Sequence, residues 1–216
     1  MSENQKQGSS GRPWYFRRKK KSVEPPKPKG NYAFIDSQNL NLGVQKMGWK
    51  MDWSKLREWL RTEYNVEQAY MFIGYMQENE SLYEQMYEHG FLVVLKPTVE
   101  IKQPKAPEPK PGEKPIKKSD EPDKPPVKGN VDADLVLYAM KEMPNYDKAI
   151  IISGDGDFFA LVEYLIEQNK LLKLMTPNRR FSSLLQGFDV YIDGIDQHRS
   201  RLAYRDFRRS RTKRQS

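Results

Sequence analysis

Short apolar runs alternate with stretches in which apolar residues recur every three to four positions, from about residue 31 to residue 196. The runs Asn31 to Ile35 (NYAFI), Val66 to Ile73, Phe91 to Leu95 (FLVVL), Ala149 to Ser153 and Leu171 to Met175 read as strands, with Val190 to Ile192 as a last edge strand. Between them the helical period takes over. Asp52 or Ser54 caps a helix running to about Tyr64, with Trp53, Leu56, Trp59 and Leu60 at helical spacing. Further helices are expected over Glu78 to His89, stopped by Gly90, and over Val131 to Met143, ahead of Pro144. Phe158 to Gln168 and a short piece at Ser182 to Gln186 complete the set. Strands that alternate with helices predict an α/β fold whose mainly parallel sheet, of about five strands, is covered on both faces.

Three segments break the pattern. Residues 1–30, about 97–127 and 197–216 are poor in apolar residues and rich in Lys, Arg or Pro. They account for the mean hydropathy of -0.87 in a 216-residue chain that is 37% hydrophobic. They are expected to be a disordered basic tail, a mobile Pro/Lys-rich insertion within the domain, and a second basic tail. Each tail carries a net +7 against a chain total of +8, which leaves the folded body acidic. Basic tails on an acidic body predict polyanion attraction outside and cation binding inside. The chain has no cysteine, so disulfides, thiolate nucleophiles and cysteine-type zinc sites are excluded. No apolar stretch is long enough to cross a bilayer, and the N-terminus lacks a secretory apolar core, so the expected location is the cytoplasm, with no membrane partner.

The segment Ala149 to Phe159, AIIISGDGDFF, concentrates the candidate chemistry. A buried strand stops at a turn made tight by Gly154 and Gly156, which places Asp155 and Asp157 at its carboxyl end. The first strand likewise ends in Asp36, with Asn39 three residues on. In open α/β sheets that edge is where ligands bind. The helix from Val131 follows the third strand, so its N-terminus lies at the same edge. Asp132 shares a face with Leu135, Val136 and Ala139, which favours it over Asp134 as the inward acid; Asp134 serves instead if the helix starts late or is rotated. Carboxylates at about 4 Å repel by on the order of 1 to 4 kcal/mol per pair, which a divalent cation relieves. Oxygen donors without His or Cys select Mg²⁺ or Mn²⁺, and such an ion suits phosphodiester hydrolysis. Asn39 is placed to orient a water or a ligand carboxylate. Neither phosphate-cradling glycine motif occurs, and Phe159 and Ala160 exclude a calcium loop of the EF-hand type.

Three motifs together, FIDSQNL at 34–40, KGNVDADL at 128–135 and IISGDGDF at 151–158, resemble the NYN domain of the PIN-like nuclease superfamily, in its LabA-like branch. The resemblance covers about residues 31–196. It implies a PIN-like three-layer α/β/α sandwich and a divalent-metal-dependent ribonuclease. On this sequence the implied metal ligands are Asp36, Asp132, Asp155 and Asp157, with Asn39 beside them in the catalytic set. Lys128 matches the lysine of the middle motif and is expected to touch phosphate, as are Arg179 and Arg180 after the fifth strand.

Trp14, Tyr15 and Phe16 lie beside a basic run, and Tyr204 and Phe207 lie among arginines. Positive charge with flat side chains suits single-stranded RNA, whose bases and backbone are exposed. Two basic-tailed subunits would suit a homodimer gripping one strand. The alternative reading is a non-catalytic RNA-binding or regulatory module that retains the nuclease fold. An aspartyl phosphatase is disfavoured, because no second acid stands at position 38 after Asp36.

Overall fold

The computed structural model describes residues 29–75, 77–96, 99–100, 127–128 and 131–205. Its main sheet is built from β1 (Asn31–Asp36), β2 (Val66–Gly74), β3 (Leu92–Lys96), β6 (Ala149–Ile152), β7 (Leu171–Thr176) and β8 (Ile192–Gly194). The order across the sheet is β3-β2-β1-β6-β7-β8, and every neighbouring pair is parallel. β8 is the edge strand expected at Val190 to Ile192, displaced to Ile192–Gly194. The chain grows outward from β1 to β3, then returns to start β6 on the other side of β1, so the strand order reverses between β1 and β6. Two further short strands, β4 (Val99–Glu100) and β5 (Val127–Lys128), pair antiparallel at the two ends of the Pro/Lys-rich insertion. The rest of that insertion, residues 1–28 and residues 206–216 lie outside the described residues.

Side-chain alternation along the central strands produces two apolar layers. Ala33, Ile35, Ile150 and Ile152 face one way, toward α1 (Ser37–Lys46) and α2 (Trp53–Tyr64). Phe34, Ala149 and Ile151 face the other way, toward α4 (Asp132–Lys141) and α5 (Phe159–Glu167). Both strands are buried on both faces, which is why AIII reads as an unbroken apolar run. The result is a three-layer α/β/α sandwich. α2 starts where Asp52 accepts a hydrogen bond from the Lys55 backbone N–H at 3.2 Å, and ends at Asn65 in a left-handed conformation, φ 50. α3 (Glu80–Glu88) is stopped by Gly90, φ 85, as its glycine predicts.

Two elements depart from the sequence pattern. α1 is absent from it: SQNLNLGVQK holds only Leu40 and Val44 as buried apolar residues, and its glycine and asparagines disfavour helix. It forms because Asp36 caps it and because Leu40 and Val44, one turn apart, dock on the sheet. The chain also stays packed past residue 196. In α6 (Arg199–Leu202) the Leu202 side chain is fully buried, and its carbonyl accepts from the Asp52 backbone N–H at 2.9 Å. No helix among the described residues is long and apolar enough to cross a membrane.

Candidate functional site

The parallel register pairs Ile35 with Ile152, so the next residues, Asp36 and Ser153, stand side by side where the two strands leave the sheet. Asp36 is the C-terminal residue of β1 and the cap of α1, and it is only 5% exposed. One carboxylate oxygen accepts from the Asn39 backbone N–H at 3.0 Å, and the other accepts from the Ser153 hydroxyl at 3.1 Å. Burial raises the Asp36 pKa above the ordinary aspartate value. The two hydrogen bonds offset part of that rise, and the neighbouring Asp155 charge adds to it.

The turn after β6 is tied to the same point. The Asn39 side-chain oxygen accepts from the Gly154 backbone N–H at 2.9 Å, and the Ser153 hydroxyl accepts from the Asp155 N–H at 3.2 Å. Asp155 in turn accepts from the Asp157 N–H at 3.1 Å and caps the single 3-10 turn Gly156–Phe158. Ser153 therefore joins the two acids, donating to Asp36 while accepting from the backbone of Asp155. Both glycines of this turn lie in close contact with neighbouring side chains. A Cβ on Gly154 would stand 3.1 Å from Phe181 Cβ, and one on Gly156 would overlap the Ser182 hydroxyl.

The six-stranded sheet thus brings Asp36 and Asp155 together at the point where its strand order reverses, the place where open α/β sheets accept ligands. Asp155 is half-buried and Asp157 exposed. Asp132 is the first residue of α4, half-buried, on a helix that packs across β1 and against the Gly156–Phe158 turn. Asp134 is ion-paired with Lys96, at the end of β3, at 3.1 Å. That pairing gives Asp134 a partner of its own. Among the described residues no three acidic or histidine side chains converge closely enough to hold an ion unaided. The donors present still fit a magnesium-type ion, which takes one or two carboxylates and fills its remaining positions with water and substrate phosphate.

Arg179 and Arg180 are exposed in the loop after β7. Arg180 borders a cleft of about 440 Å³ that also includes Asn39 and Gly154. Lys128 falls in β5, and its side chain lies outside the described residues. Trp14, Tyr15, Phe16 and Phe207 lie outside them too, whereas Tyr204 is exposed. Two contributors had no signal in the sequence. Ser153 looks like an ordinary small residue of a turn, yet its hydroxyl is fully buried between two acids. Asn178, 6% exposed, donates to the Gly43 carbonyl at 2.9 Å and accepts from the Arg180 N–H at 2.8 Å, which fastens the loop after β7 to α1.

The sequence profile of the NYN domain matches residues 32–196, a span that includes Asp36, Asn39, Asp132, Asp155 and Asp157. This chain belongs to the NYN domain family. The family is part of the PIN-like nuclease superfamily, and the three-layer sandwich with its acids at the carboxyl edge agrees with that membership. Among NYN relatives, the low amplitude and bright protein LabA of Synechococcus elongatus is 26% identical over 165 residues, covering 74% of this chain and 81% of that protein. A crystal structure of a protein of unknown function from Vibrio parahaemolyticus shares the fold, with a TM-score of 0.59 over 84% of this chain and 100% of that one, at 21% identity.

Proposed function

We propose that this NYN domain is a divalent-metal-dependent ribonuclease that cuts single-stranded RNA endonucleolytically in the cytoplasm. The observation that carries the reading is the buried Asp36 carboxylate beside Asp155 at the reversal of strand order. A desolvated acid next to a second acid is costly unless a cation or a proton joins them.

Asp36 and Asp155 would hold a Mg²⁺ or Mn²⁺ ion, and Asp132 on α4 and Asp157 in the turn would add negative charge beside it. When bound, such an ion lowers the pKa of a water and neutralises charge on the phosphodiester in the transition state. Ser153 and the Asn39 backbone N–H hold both Asp36 oxygens in place, so the carboxylate does not reorganise as substrate arrives. Asn39 fixes the Gly154 backbone and thereby aims Asp155. Lys128, Arg179 and Arg180 supply positive charge for the RNA phosphates.

The test is cleavage of a single-stranded RNA by the full chain in Mn²⁺, in Mg²⁺ and in chelator, with Asp36→Asn and Asp155→Asn alongside. Metal-dependent cleavage lost in both variants is expected; full activity in either variant sinks the assignment. A second reading, an RNA-binding module that does not turn over, draws on the lack of a three-carboxylate cluster among the described residues. RNA bound but left intact under every divalent metal selects it.

A further inference from the structure

We propose that the cleft between α1 and the loop after β7 seats one nucleotide of the RNA strand, next to the phosphodiester lying over Asp36 and Asp155. The proposal rests on the ribonuclease reading for its position, and on the cleft itself for its chemistry. Asn39 and Gly154, hydrogen-bonded to each other, form the wall shared by the cleft and the carboxylate pair, so a strand passing over the acids enters the cleft directly. Its volume, about 440 Å³, suits a single nucleotide.

The lining carries both of the chemistries a nucleotide needs. Lys46, on the last turn of α1, and Arg180 bring positive charge for a phosphate. Leu42, on α1, and Met47, just past its end, are large apolar side chains that line the cleft and are left 47% and 43% exposed, and they offer an apolar surface for a base. The rest of the α1 apolar surface, Leu40 and Val44, is fully buried on the sheet, so the exposure of Leu42 and Met47 is confined to this wall.

The cleft is also held open in advance. A Cβ on Gly43 would overlap the Pro177 ring, so the loop after β7 rests directly on the helix backbone. The buried Asn178 amide locks that contact through Gly43 and positions the Arg180 backbone. Arg180 is therefore delivered by a fixed loop rather than by a free one, which lowers the entropy cost of gripping phosphate.

The experiment measures binding of a short oligouridylate to the full chain carrying Asp155→Asn, which prevents cutting, as salt is varied. Lys46→Gln and Arg180→Gln together are expected to reduce the slope of log Kd against log salt by about 0.7, the value for one phosphate contact on a single strand. A scan in which one base at a time is removed from the oligonucleotide is expected to find one position where affinity falls about tenfold, the loss of one base face buried on apolar side chains. In Leu42→Ser with Met47→Ser that position loses its effect. An unchanged slope together with a flat scan overturns the nucleotide seat, even if the wild-type chain cleaves RNA. Conversely, the lowered slope and the single sensitive position in a chain whose wild type never cleaves uphold the seat and remove the ribonuclease reading.

Discussion

Asp36 holds a carboxylate where water scarcely reaches, and its pKa is raised by burial first and by Asp155 second. The folded chain therefore binds the Asp36 proton more tightly than the unfolded chain does. Its contribution to stability is full below the ordinary aspartate range, is lost as pH rises toward the raised value, and stays lost at neutral pH. Asp36→Asn cannot ionise, and its amide oxygen can still accept from the Asn39 N–H. In chelator the variant is expected to unfold at higher denaturant concentration than wild type at neutral pH, with the gain vanishing as pH falls through the carboxylate range. Adding Mn²⁺ is expected to stabilise wild type and leave Asp36→Asn unmoved, since only a folded site gains from the ion. Denaturant midpoints across pH, with and without metal, check both statements; a variant less stable than wild type at neutral pH contradicts the first. Ser153→Ala acts in the opposite direction. It strips a buried carboxylate oxygen of its donor, and its expected cost is about 1 to 3 kcal/mol by urea unfolding.

α1 shows what an element owes to its surroundings. Its ten residues include a glycine, two asparagines and no acidic residue in the first turn, so propensity and charge both argue against helix. The Asp36 cap, the Ser37 hydroxyl donating to the Phe72 carbonyl at 2.8 Å, and the docking of Leu40 and Val44 establish it instead. Gly43, poor for the helix alone, is needed for the approach of Pro177. Gly43→Val is expected to lower stability by about 1 to 3 kcal/mol through overpacking against that loop, and to raise the KM for RNA more than it lowers kcat. A variant with wild-type stability would mean that the loop yields freely. The same contrast explains what was legible in the sequence. β1 and β6 are continuous apolar runs because they are buried on both faces, and their terminal acids followed from strand topology. α1, Ser153 and Asn178 were hidden because each is fixed by a contact with a distant segment, and a single sequence carries no trace of such a contact. Helical spacing sets Asp132 and Asp134 on different faces of α4; the Lys96 partner of Asp134 is not visible in it.

At the scale of the molecule, the sequence pattern ends the domain near residue 196, whereas the packing runs on through α6. Leu202 is buried with Leu56 and Trp59 in the layer beneath α2, the Ala203 carbonyl accepts from Lys55 Nζ at 3.0 Å, and the Tyr204 N–H donates to the Lys50 carbonyl at 2.9 Å. Burying one leucine is worth about 1.5 to 3 kcal/mol, a large fraction of the 5 to 15 kcal/mol that typically separates folded from unfolded chains. Truncation after residue 196 is therefore expected to lower the Tm and the denaturant midpoint markedly. Truncation after residue 205 removes none of these contacts but removes five of the eight basic residues that follow position 196. It is expected to keep the wild-type Tm while weakening RNA binding, with a shallower dependence of log Kd on log salt. Thermal unfolding and salt-dependent binding, measured on both truncations, separate the two roles of the C-terminal segment. Equal Tm values for the two truncations would show that the α6 contacts contribute nothing to stability, and an unchanged salt slope in the longer one would show that its arginines do not reach the strand.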